Sequence, residues 1–251
     1  MSSGAGEPSE VAAEAGDHGN AFDVGSIRVR EHLAASHLWT AELMASRCEQ
    51  REKSLVQDGF SGFDREHRSL STAAVLFSVF FIEAYINEVF DDLADGNPVA
   101  SAGVTGLDEQ HRKTLARLWK SEDLNLRGTG TSILAKYDLA LIALNKPSMD
   151  RGQPPFEGVK RLIALRNSLV HFKPKWTDVG SETKGLAVEL QGEQFPGNAI
   201  PIGDPWYPNK CMGAGCAMWA CSTARSFADG WRLVMGITSD FRVDVHDWSL
   251  P

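Results

Sequence analysis

Between Val75 and Phe90 the chain is apolar almost all round, and a helix without a polar face has to be covered on every side. The helical pattern begins near Arg65, runs to Leu93 and is broken by Asp95-Gly96-Asn97-Pro98, residues that stop a helix. A single segment of this kind dictates the rest of the fold. It becomes the central, most buried helix, and the other segments must wrap around it.

Those segments read as further helices. The first runs from about Ile27 to Leu55, with Leu33, Ala34, Leu38, Ala41, Met44 and Cys48 as its apolar stripe, and Asp58-Gly59 and Ser61-Gly62 end it. Leu107 to Glu122 is a charged helix, and Thr131 to Leu144 an apolar one closed by Pro147. Pro154-Pro155 open a helix from about Phe156 to Phe172, which Lys173-Pro174 stop. A last helix spans about Gly213 to Ile237. Residues 175 to 205 change character, and Leu186-Ala187-Val188-Glu189-Leu190 has the alternation of a strand. The expected fold class is therefore all-α, a helical bundle with a short loop or hairpin insertion before the last helix. Residues 1 to 24, rich in Ser, Gly, Ala and acids, are expected to be a disordered arm. The helical domain occupies 25–240, and 241–251 form an extended tail.

Composition narrows the possible partners. The chain has 251 residues, 43% of them hydrophobic, enough to bury a sizeable core. Its 25 Lys and Arg against 33 Asp and Glu give a net charge of −8, which argues against an indiscriminate nucleic-acid coating protein but leaves room for a local basic site. Cys48, Cys211, Cys216 and Cys221 are too few and too oddly placed for a disulfide framework, and with no His nearby they suit buried packing better than zinc. No metal and no cofactor is expected. The longest apolar run, Ala73 to Ile82, is half of the ~20 residues a bilayer span needs, and the N-terminus lacks a basic flank and an apolar stretch. No membrane partner and a cytoplasmic location are expected.

The chemistry-bearing element is Arg166-Asn167-Ser168-Leu169-Val170-His171, on the last turns of a helix. Asn167 and His171 are four apart and share a face, whereas Arg166 is turned by about 100° and reaches the same place by its length. On a helical wheel Arg166 falls in the middle of an apolar stripe of Val159, Leu162, Ile163, Leu169 and Val170. An inward guanidinium needs an acceptor. The central helix offers one in Glu83, with Asn87 one turn further on as a second. Lys160 lies beside Asn167 and His171. Between Gly158 and Thr177 there are five Lys or Arg and no acid, so Lys160, Arg161, Lys173 and Lys175 make a candidate phosphate seat. In RNA the 2′-hydroxyl can attack the adjacent phosphorus. That step needs a proton carrier, which is His171, and a fixed cation for the phosphoryl oxygens, which is Arg166, while Asn167 orients either one.

This hexapeptide resembles the R-x4-6-H signature of the HEPN superfamily, often with Asn after the Arg. The resemblance extends to the helix around Phe80-Phe81-Ile82-Glu83-Ala84-Tyr85-Ile86-Asn87-Glu88 and to the order of helices from about 27 to 237. It implies a metal-independent endoribonuclease of a toxin-antitoxin or anti-phage defence system, acting as a homodimer, with Arg166 and His171 as the catalytic pair and Asn167 beside them. A small antitoxin or a nucleotidyltransferase is the partner it implies. Other members are noncatalytic nucleotide-binding or protein-interaction modules, and that alternative stays open. A two-fold axis would also bring two His171 to one cleft, supplying both an acid and a base. Trp219 and Trp231 are expected in the core. Trp176 and Trp206, on loops beside the motif helix, are expected to pack under those loops, with stacking on a base as the alternative.

Overall fold

A computed structural model describes residues 30–96, 104–128, 130–174, 176, 178 and 184–241. The N-terminal arm, nearly all of the C-terminal tail and Lys175 lie outside the described residues. The helices are α1 (Ala34–Gln57), α2 (Arg65–Asp95), α3 (Glu109–Lys120), α4 (Ile133–Ala143), α5 (Phe156–Val170), α6 (Leu186–Gln191) and α7 (Ala214–Met235), with a π-turn at Trp206–Lys210. No strand occurs among the described residues. The protein is an all-α bundle.

The central position falls to α2. Val75, Val79, Phe81, Ile82, Ile86, Val89 and Phe90 are buried, and α1, α3, α4, α5 and α7 all pack on it. The Asp64 side chain accepts the His67 N–H to start α2, and Gly96, at φ 79°, ends it in the left-handed conformation. By length and composition α2 contains a window apolar enough to cross a bilayer, with mean hydropathy 1.7, and half of that window is buried by the other helices. The run counted in sequence as ending at Glu83 is thus part of a longer apolar helix.

Small side chains set how closely α7 approaches. Ala41, Ala45 and Cys48 of α1, Ala74 of α2, and Ala214, Ala217 and Cys221 of α7 form one buried seam, where short side chains let helix axes come together. All four cysteines are free and buried, and burial first, then the neighbouring Glu52 charge, pushes the Cys48 thiol up to about 12. They act as small packing groups. Trp231 is fully buried and donates its Nε1–H to the Tyr137 carbonyl at 3.1 Å, while the Tyr137 hydroxyl donates to the Ile82 carbonyl at 2.7 Å. Those bonds tie α7 to α4 and α4 to α2.

Two helices are capped by carboxylates from their neighbours. Glu88 of α2 accepts the backbone N–H of Leu33 and of Ala34 at 2.6 and 2.8 Å, so α1 begins at Ala34 and not at the position near Ile27 that periodicity suggests. Glu52 of α1 accepts the Ala214 N–H at 2.9 Å and the Ala199 N–H at 3.3 Å, and lies 2.7 Å from His67 Nε2. Free N–H groups and the positive end of the helix dipole favour a carboxylate at such a place. The loop that Glu52 holds runs against the start of α7, where a Cβ on Gly215 would stand 2.0 Å from the Pro196 carbonyl oxygen. Only glycine fits.

The β-like patch is a helix. In α6, Leu186 and Leu190 are four apart and both turn to the core, Leu190 fully, while Val188 is exposed. The alternation fits a strand equally well, but no neighbouring strand is present among the described residues to pair with it, and the i, i+4 spacing buries the two leucines instead.

Burial would raise the Glu52 carboxyl, but the hydrogen bond with His67 and those from the Ala214 and Ala199 N–H groups outweigh it and hold the group below the ordinary carboxylate range. A depressed folded-state pKa contributes stability that is complete above the unfolded-state value and is lost as pH falls through the lowered one. Glu52→Gln is expected to cost about 3 kcal/mol near neutral pH, and the gap from wild type should narrow in acid. Urea unfolding of both proteins at neutral and acidic pH measures this, and a gap that widens in acid contradicts the assignment.

Candidate functional site

The open end of α5 carries the hexapeptide. Phe156, Val159, Leu162 and Leu165 bury one side of the helix, and Val170 is 54% exposed. Arg166, with its side chain 19% exposed and its Nε buried, lies on that apolar face, at the end of the covered length. The wheel treated every turn as equally covered, whereas the core covers α5 mainly up to Leu165.

Arg166 Nη2 and Glu83 Oε2 are 3.4 Å apart, with side chains 19% and 44% exposed. Glu83 is thus half exposed, where the sequence suggested an inward carboxylate, because the face of α2 holding Phe77, Phe80 and Glu83 is less covered than that of Val79, Ile82 and Ile86. Arg166 Nε is buried and has no hydrogen-bond partner among the described residues. The guanidinium is anchored on one side only.

Asn87 does not contact Arg166. Its Oδ1 accepts from Lys136 Nζ of α4 at 2.8 Å, which corrects its expected place as a second acceptor for Arg166. Lys136 is only 4% exposed. Burial lowers its pKa, the Glu83 charge opposes that shift, and the ammonium also stands 5.6 Å from the centroid of the Trp119 ring. Lys136 belongs to no motif in the sequence. Its signal was a lone lysine in the apolar run Ile133-Leu134-Ala135-Lys136-Tyr137.

Asn167 and His171 are exposed, and the His171 N–H donates to the Asn167 carbonyl at 2.9 Å to close the helix. No side-chain hydrogen bond involves either residue among the described residues. Between them, Ser168 Oγ donates to the Leu165 carbonyl and lies 2.7 Å from the Tyr207 hydroxyl, so the π-turn braces the end of α5. Sequence spacing gave no sign of that contact.

The basic strip divides. Lys160 and Lys173 are exposed. Arg161 is paired with both Glu157 and Glu193, so the expectation that it belongs to the phosphate seat is corrected. Acids absent from its own stretch of sequence come from one turn earlier and from the loop after α6. Trp219 donates to the same Glu193 at 3.1 Å, and Trp206 packs partly on the core. Trp176 is fully exposed, contrary to the expected packing under a loop. No group of three or more His, Cys, Asp or Glu suited to a metal occurs among the described residues. No family model, curated protein or solved structure matches the chain.

An ion pair this exposed contributes little to stability. Glu83→Gln is expected to destabilise the protein by less than about 1 kcal/mol in urea unfolding. A loss above about 3 kcal/mol would make the pair a structural bridge.

Proposed function

We propose that the protein is a metal-independent endoribonuclease of the HEPN type, working in the cytoplasm in a toxin-antitoxin or anti-phage defence system. The observation that carries this reading is the arrangement at the end of α5. Arg166 is held from one side by Glu83, and one turn of open helix beside it presents the Asn167 and His171 side chains, which have no hydrogen-bond partner among the described residues. A cation fixed by a carboxylate keeps its place while an anion arrives.

In this reading the phosphate enters beside Arg166, and Lys160 and Lys173 draw in the neighbouring backbone. An imidazole takes the 2′-hydroxyl proton as that oxygen bonds to phosphorus. The bond from phosphorus to the 5′-oxygen breaks, and a second imidazole gives the leaving oxygen its proton. The products are a 2′,3′-cyclic phosphate and a 5′-hydroxyl, and DNA is spared. A homodimer supplies the second imidazole as His171 of the partner subunit, and exposed Phe80, Val170 and Phe172 offer apolar surface near the motif for such an interface. An antitoxin or nucleotidyltransferase partner would act by covering this end of α5.

One observation favours a second reading, a noncatalytic nucleotide-binding or protein-interaction module: among the described residues no side-chain hydrogen bond fixes the His171 ring. The two part in one assay. Purified protein is incubated with single-stranded RNA in EDTA, and wild type is expected to cut while His171→Ala and Arg166→Ala each lose at least about a hundredfold. Retained folding is checked by circular dichroism, and a dimer is expected in light scattering. Absence of cutting by wild type at any salt or pH favours the binding module.

A further inference from the structure

Glu83 pairs with one cation and stands one helical turn from Asn87, which holds a second. Arg166 of α5 touches it at 3.4 Å, and its charge acts on Lys136 of α4, whose ammonium binds Asn87 one turn along the same face of α2. Counting formal charges, Arg166 and Lys136 bring two positives to one carboxylate. A partly buried excess positive charge is stabilised by an anion.

Lys136 is too buried to meet a ligand of any size. Its ammonium binds Asn87 and stands over the face of Trp119, which itself stacks on Phe90 at 5.2 Å and donates to Asp91 at 2.9 Å. The ammonium is therefore locked in place, one helical turn along α2 from Glu83. The Arg166 contact, by contrast, is long and single, and leaves Nε without a partner. A carboxylate shared with a fixed ammonium binds a guanidinium less completely than one held alone.

We propose that Lys136 is a positioning residue for an oxyanion site at Arg166: by drawing on Glu83 and fixing Asn87, it keeps the carboxylate from neutralising the guanidinium and leaves Arg166 able to bind a phosphate group. This rests on the reading of the α5 end as a phosphodiester site and adds a buried residue that the motif does not contain. Lys136 acts through Glu83, not on the ligand.

The proposal is tested with inorganic phosphate, so that RNA cutting is not needed for a result. Binding is followed by phosphorus NMR line broadening or by thermal upshift in wild type, Lys136→Met, Lys136→Gln, Glu83→Gln and the double variant Lys136→Met/Glu83→Gln. Methionine keeps the volume of the buried stem, and glutamine keeps a donor for Asn87. Loss of the Lys136 charge is expected to weaken phosphate binding about fivefold to tenfold with Glu83 present and less than about twofold with Glu83→Gln, the non-additivity of a residue acting through its neighbour.

Equal losses in the two backgrounds would overturn the proposal, as would wild-type affinity in both Lys136 variants or no phosphate binding by wild type. Arg166→Ala is expected to abolish binding, and binding that survives it places the anion elsewhere and also overturns the proposal. If the cycle comes out as expected while RNA stays uncut, the nuclease reading fails and the positioning role stands.

Discussion

The C-terminal half of α2 has to hide an apolar surface while carrying polar side chains, five of which meet partners elsewhere in the protein. Glu83 meets Arg166 of α5, Asn87 meets Lys136 of α4, and Glu88 caps α1. Asp91 accepts the Trp119 N–H of α3, and Asp92 lies 3.1 Å from His32 just ahead of α1. Asn87, Glu88 and Asp92 are partly or fully buried, and such groups are costly without partners, so their contacts select one arrangement of α1 and α4 among those that would cover the apolar residues equally well. The bundle takes its volume from the hydrophobic effect and its register from this row of polar contacts.

Magnitudes separate what holds α5 from what α5 presents. Burying Phe156, Val159, Leu162 and Leu165 is worth about 1.5 to 3 kcal/mol for each side chain, whereas a half-exposed ion pair at the distance of Arg166 and Glu83 is worth about 1 kcal/mol or less. The helix stays docked without the pair. Arg166 is consequently not needed to keep the fold together, and its charge is available for chemistry at the surface. Glu52 is the contrasting case. It is buried, joins α1 to His67, the loop at Ala199 and the start of α7, and its removal would leave several donors unsatisfied.

The candidate site was legible in so far as it depended on one helix. The spacing of Arg166, Asn167 and His171 follows from helical geometry, and a charged residue beside an apolar stripe pointed to Glu83 as its complement. Asn87 was read with the wrong partner because its acceptor is claimed by Lys136, from a helix that nothing local ties to α2. Arg161 looked free in a stretch without acids, yet Glu193 reaches it from a loop 32 positions away. The wheel placed Arg166 on the covered face, where its Nε is buried, but put Val170 there too, since it has no knowledge of where neighbouring helices end.

By itself the sequence determined that the chain is all helical, that α2 is its centre and that the hexapeptide sits at a helix end, because periodicity, breakers and caps act over a few residues. Tertiary structure alone decided that Leu186 to Leu190 is helical, that Lys136 is buried against Asn87, that Arg161 is neutralised and that the last turn of α5 is left open. Those outcomes depend on which surfaces meet across tens of residues, where desolvation and the pairing of charges are settled by distance in space and not by distance along the chain.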